Sequence, residues 1–247
     1  MTSVAYTRMT EAGSFDVINI DLCGSLVGHV PLERQEDHYN AISNIVQFQK
    51  ENRHLPWLLF ITTRANRESV ETKAETRLFQ HITNNAQSHA SFSSKLTDCF
   101  GATSKSITAD NEKMYHRLIG LGLGKWLLGL LFNGQPKWSI KMLNSAEYKV
   151  QKSSKNPDIL SLAFECSLIV QAQSDKVGLA RPASKGKKDV EEIDIAMGLI
   201  DAVRRLRNID GLLLGEPVLY SALIAEAALL MKDARYDDKE YKKWALR

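Results

Sequence analysis

Short apolar runs alternate with helically spaced apolar residues along the first third of the chain. FDVINIDL (15–22) is mostly apolar and rich in β-branched residues, which predicts a strand buried on both faces. A polar Cys-Gly-Ser step follows it, and Gly28 and Pro31 mark a loop. Tyr39, Ile42, Ile45, Val46 and Phe48 fall near helical spacing, so residues 37–52 are expected to coil. PWLLFITTR (56–64) predicts a second buried strand with a polar exit. Val70, Leu78, Phe79 and Ile82 then form the inner stripe of a helix from about Arg67 to Gln87. Residues 88–110 are rich in Ser and Thr and read as loop around a short helical piece. The strongly apolar stretch 111–132 reads either as helix or as an irregular mixture, and Asn133, Gly134 and Pro136 end it.

Two strand-like runs follow, 137–151 and 157–171, joined by a short Lys/Ser/Asn/Pro connection that predicts a β-hairpin. Residues 174–188 hold five Lys/Arg, one Asp, Gly and Pro, with little to bury, as a linker would. Beyond it Ile193, Met197, Ile200, Val203 and Leu206 share one helical face, and Pro217 occupies a favourable first position for a second helix. The expected layout is therefore an α/β domain over 1–172, a basic linker over 173–189 and a helical segment over 190–247. The fold class is α/β, a partial doubly wound sheet with parallel strands, a terminal antiparallel hairpin and C-terminal helices.

Composition changes this picture little. With 44% hydrophobic and 25% charged residues in 247, the chain has material for a sizeable core. A formal net charge of +3 does not by itself imply nucleic acid. Cys23, Cys99 and Cys166 lie far apart without metal-ligand spacing, so a reducing cytoplasm is the expected home. The residues before Phe15 lack an apolar signal core, and the longest apolar stretch, 121–132, is too short to span a bilayer, so no membrane is expected.

The order strand, helix, strand, helical region and hairpin resembles the C-terminal half of a class I S-adenosylmethionine-dependent methyltransferase domain. FDVINIDLCGS stands where that family's fourth strand closes on an acid, and PWLLFITTR is similar to its fifth. The hairpin of 137–171 would supply the closing antiparallel pair. The resemblance covers residues 15–171 and omits the front half, whose first strand, glycine-rich loop and ribose-binding acid hold the cofactor. It implies an incomplete or degenerate methyltransferase-like protein, either completed by a partner chain that brings the S-adenosylmethionine site or non-catalytic.

On that reading Asp21, Cys23 and Ser25 line the acceptor pocket, with Asp21 orienting an amine or acting as base. Gly24 allows close backbone approach there. Cys23 is also a candidate nucleophile if a base such as His29 comes near, although a free thiol more often packs as a small hydrophobe. Thr62, Thr63 and Arg64 are expected either to bind an anionic group at the strand exit or to start the following helix. The same stretch, DLCGSL, is similar to the haloacid-dehalogenase-like phosphatase signature, with Asp21 as nucleophile. There Cys23 stands where an acid is required, and Mg²⁺ ligands could be sought only in Asp237 and Asp238.

Gly120, Gly122 and Gly124 mimic a cofactor loop, with Glu147 at 23 residues beyond, but a bare glycine pattern more often serves helix packing. Lys149, Lys152 and Lys155, with Lys176, Arg181, Lys185, Lys187 and Lys188, form a candidate nucleic-acid footprint with Tyr148 for stacking. No histidine pattern suggests a metal. A non-enzymatic interaction module, homo-oligomeric or docked through an open sheet edge, completes the alternatives.

Overall fold

A computed structural model describes residues 11–22, 24–28, 35–101, 114–150, 155–170 and 190–246. Cys23, His29, Lys152 and the 173–189 linker lie outside the described residues. The chain divides into two units, Met1–Leu206 and Arg207–Arg247.

The larger unit is α/β. β1 (Val17–Asp21) pairs in parallel with β2 (Trp57–Arg64), from Val17 opposite Leu58 to Asp21 opposite Thr62. The crossover between them contains α1 (Gln35–Asn52). Gln49 of α1 fixes the entry to β1, because its amide donates to the Phe15 carbonyl at 2.7 Å and accepts the Phe15 N–H at 2.8 Å. After β2 come α2 (Thr72–Ser88), α3 (Ala90–Phe100) and α4 (Tyr115–Phe132). β3 (Trp138–Met142), β4 (Ala146–Tyr148) and β5 (Ile159–Leu168) join the sheet, and α5 (Glu192–Arg204) packs back on α4 and β3.

β5 inserts beside β2, antiparallel along its whole length, and β3 and β4 pair antiparallel with the other edge of β5. The expected hairpin is thus present, with its first arm broken in two. Met142 faces Phe164 and Ala146 faces Ser161, so one more residue is fitted on the β3–β4 side than on β5. Ala163 keeps both backbone groups bonded across that bulge: its carbonyl accepts Leu143 N–H at 2.8 Å and its N–H donates to Ser145 Oγ at 3.0 Å.

One sheet face carries Trp57, Leu59 and Ile61, with Trp138, Ile140, Leu160, Leu162, Phe164 and Cys166 beside them, all buried. α4 lies against this face and is itself enclosed by α2 and α5. Its glycines make that possible. A Cβ on Gly120 would sit 3.2 Å from Leu160, one on Gly122 2.8 Å from Leu78, and one on Gly124 3.3 Å from Leu199. Stretch 111–132 is therefore helix from Tyr115 onward, and its glycine repeat is a packing device rather than a cofactor loop.

The structure corrects three expectations. β1 is not buried on both faces: Ile18 and Ile20 are half-buried against the core, while Val17, Asn19 and Asp21 are exposed. α5, placed by pattern in the C-terminal segment, belongs with the sheet, because Ala196, Leu199, Ile200 and Val203 complete the core around α4. Among the described residues beyond Leu206 there are three helices, not one: α6 (Ile209–Gly215), α7 (Pro217–Asp233) and α8 (Asp238–Ala245). Asn208 and Asp237 cap α6 and α8, and Pro217 opens α7 as expected.

Candidate functional site

Parallel pairing brings the exits of β1 and β2 to one edge of the sheet, the edge where open α/β sheets bind ligands. The polar loop after β1 is fastened there by hydroxyls. Ser25 Oγ donates to the Arg64 carbonyl at 2.8 Å and accepts Val27 N–H at 3.2 Å. Thr63 Oγ1 accepts Leu26 N–H at 2.7 Å and donates to the same Arg64 carbonyl at 3.2 Å. Arg64 N–H returns a bond to the Gly24 carbonyl at 3.2 Å. Leu26 and Val27 are thereby drawn into the core. Ser25 and Thr63, both buried, hold the loop to β2 and present no hydroxyl to a ligand.

Strand alternation sends their neighbours the other way. Asp21, Thr62, Ser161 and Ala146 stand in one row across β1, β2, β5 and β4. Arg64, Ile159 and Tyr148 form the next row on the same face. Asp158, fully buried, ties this corner together. Its carboxylate accepts Val150 N–H at 2.7 Å and lies 3.7 Å from the Arg64 guanidinium, and its carbonyl accepts Ala65 N–H at 2.9 Å. Burial, then the negative charges of Asp21 and Asp158, push the Tyr148 phenol above its ordinary pKa. The result is an exposed carboxylate, two hydroxyls, a guanidinium and a phenol that stays protonated. Such a surface can accept hydrogen bonds from an amine at Asp21 and donate to an oxygen from Arg64 or Tyr148. At Gly24, exposed beside it, an added Cβ would meet no atom of the described residues within 4 Å.

The structure brings Asp21, Gly24, Thr62, Arg64 and Tyr148 to one corner, the last of them foreseen only as a stacking residue. Lys149 is half-buried and Lys155 exposed, on opposite sides of the hairpin connection, while Tyr148 is half-buried on the sheet. Glu147 is spoken for. Its carboxylate lies 2.9 Å from His116 Nε2 and receives Arg117 Nε at 2.8 Å and Nη2 at 2.5 Å. Burial would raise this carboxyl, but those bonds and charges hold it down at about 2. Asp237 accepts two backbone N–H groups at 2.9 Å as the cap of α8, and Asp238 pairs with Lys242 at 3.8 Å. Among the described residues no group of three His, Cys, Asp or Glu side chains is placed to hold a metal ion.

Asp158 and Ser161 were missed by sequence reasoning. Their signal was the Asn-Pro-Asp turn entering a strand and the period-2 position of Ser161, which follows only once β5 is known to lie beside β2.

No curated protein and no solved structure matches this chain. A family model described as PP_RS20740-like matches residues 1–246, and the chain belongs to that family.

Proposed function

We propose that this chain is the acceptor-side half of a methyltransferase-like enzyme, completed by strands that a partner chain adds along β1. The observation that carries this reading is the free edge of β1. Leu58 N–H bonds to the Asp16 carbonyl and Leu22 N–H to the Thr62 carbonyl, so the alternation of a parallel ladder turns the backbone groups of Val17, Asn19 and Asp21 outward. Among the described residues no strand pairs with them. In the resemblance, that side is where earlier strands join. The parallel pair followed by the antiparallel closing strands supports the same reading.

The described residues do not by themselves fit S-adenosylmethionine. The glycine repeat is sealed inside α4 and Glu147 is bound by His116 and Arg117. The cofactor site therefore belongs to the partner, and the contribution of this chain is to hold the acceptor. Asp21 orients its nucleophilic amine, Thr62 and Arg64 anchor its polar flank, and the loop at Gly24 lets the substrate backbone or ring come close. With no single helix long and apolar enough to cross a membrane among the described residues, and cysteines suited to reducing conditions, the assembly would work in the cytoplasm.

Calorimetry with S-adenosylmethionine tests this. No binding is expected for the chain alone, and binding is expected after coexpression with proteins encoded beside it. Asp21→Asn should leave that binding intact and abolish methyl transfer. Mg²⁺-dependent phosphomonoester hydrolysis by the chain alone, lost in Asp21→Asn, would replace this reading with the phosphatase. A chain that assembles only with itself and shows neither activity would replace it with a non-enzymatic module.

A further inference from the structure

The 17-residue helix α7 carries two apolar stripes. The inner one, Tyr220, Ile224, Ala228 and Met231, is buried or half-buried, and the Tyr220 hydroxyl donates to the Ala245 carbonyl of α8 at 2.9 Å. The outer one repeats at the same helical spacing through Val218, Ala222, Ala225 and Leu229, flanked by Leu219 and Leu230. It is exposed: Val218 by 84%, Leu229 by 61% and Leu230 by 70%. A helix apolar on every side is ordinarily enclosed on every side.

We propose that this outer stripe is a homodimer interface, in which α7 packs antiparallel on α7 of a second copy about a two-fold axis between Leu223 and Ile224. The sequence is self-complementary in that register. Val218 meets Leu229 of the second copy, and Ala222 meets Ala225, small enough for the helix axes to approach to about 8 Å. Glu226 meets Ser221 rather than another carboxylate. Glu216, at the start of α7, comes within one residue of Lys232 in the last turn of the other helix. A two-fold axis makes each of these contacts twice, as an isologous interface requires. α6 and α7 together have the length and hydropathy of a membrane-spanning pair, but they bend by 112°, and Glu216 and Glu226 are unfavourable in a hydrocarbon core. The inference is independent of the methyl-transfer reading.

Sedimentation equilibrium of the full chain at micromolar concentration should give twice the chain mass. Ala225→Glu, on the exposed stripe, should raise the dissociation constant at least a hundredfold with unchanged circular dichroism. Glu216→Lys and Lys232→Glu should each weaken self-association about tenfold, through like charges at both pairs. Mixing the two variants should restore association, because their heterodimer regains both attractive pairs. A monomeric parent chain, an Ala225→Glu dimer of parental strength, or a mixture no tighter than its components would overturn the proposal. So would a monomer that co-sediments with phosphatidylcholine–phosphatidylglycerol vesicles through this stripe.

Discussion

Replacing Gly122 with alanine puts the packing of α4 to a direct test. The new Cβ would lie 2.8 Å from Leu78 Cβ and 3.4 Å from the Leu78 carbonyl carbon and oxygen. Carbon atoms in contact prefer about 3.5–4.0 Å, so α2 and α4 would have to separate by most of an ångström. Neither yields easily, because Leu78, Leu121 and Leu123 are all buried in the same cluster. Overpacking of this kind costs about 1–3 kcal/mol, and alanine returns roughly 1 kcal/mol of helix propensity, for a net loss of up to about 2 kcal/mol. Gly198 in α5 is the control, since no atom of the described residues lies within 4 Å of its added Cβ. There only propensity acts, and the same substitution should stabilise by about 0.5–1 kcal/mol. Gly120→Ala, whose Cβ would meet Leu160 Cδ1 at 3.2 Å and Leu162 Cδ2 at 3.9 Å, should fall between the two. Urea unfolding followed by circular dichroism reads the order, with midpoints moving in opposite directions at constant slope. A Gly122→Ala variant stabilised as much as Gly198→Ala would mean that α2 and α4 do not meet at this point, and the glycine repeat would again need an explanation.

Two further outcomes follow from buried polar groups. The folded-state pKa of Glu147, about 2, lies below the ordinary value of 4.5, so the carboxylate contributes stability above about pH 4.5 and loses it as pH falls toward 2. The contribution is about 3 kcal/mol, and Glu147→Gln should remove it at pH 7 and flatten the acid limb between pH 5 and 2; an unchanged acid limb would refute the role. Thr63→Val leaves Leu26 N–H without its 2.7 Å acceptor in a buried site, which costs about 1–3 kcal/mol; hydrogen exchange should accelerate at Leu26 and Val27, and unaltered protection there would count against the fastener.

The sequence carries the parallel pair because both strands announce themselves by continuous apolar runs bounded by turn residues. It carries the hairpin for the same reason. What it could not carry is anything that depends on register. Thr62 and Thr63 are chemically identical and adjacent, yet one faces the candidate site and the other is fully buried, and only the pairing of β2 with β5 decides which. Val17 and Asn19 read as buried-strand residues, and their exposure follows from β1 being an edge, which is a property of its neighbours. The break between β3 and β4 depends on Ala163, in a different strand from the bulge it stabilises. α5 looked separable because the residues before it resemble a linker, but the Leu199 contact with Gly124 is a tertiary fact.

The polar pentad after β1 can be understood as two sets of residues interleaved by the pleat. A strand exit that only needed to turn could use any capping residue. Here Ser25 and Thr63 both spend their donor hydrogens on one carbonyl, that of Arg64. That shared acceptor fixes the backbone from which the Arg64 side chain leaves on the opposite face, toward Asp158 and the row containing Tyr148. The fasteners therefore act on the site without belonging to it. Loosening them should let Arg64 wander from Asp158 before it disturbs the core, because Leu26 and Val27 are anchored by burial as well as by hydrogen bonds. An edge strand supplies the other half of the argument. An interior position would charge Asp21 with a desolvation penalty of several kcal/mol, whereas on an exposed edge the carboxylate stays hydrated until a ligand or a partner strand covers it. On the proposed function, a strand added along β1 would cover this carboxylate and couple amine recognition at the corner to assembly along the edge.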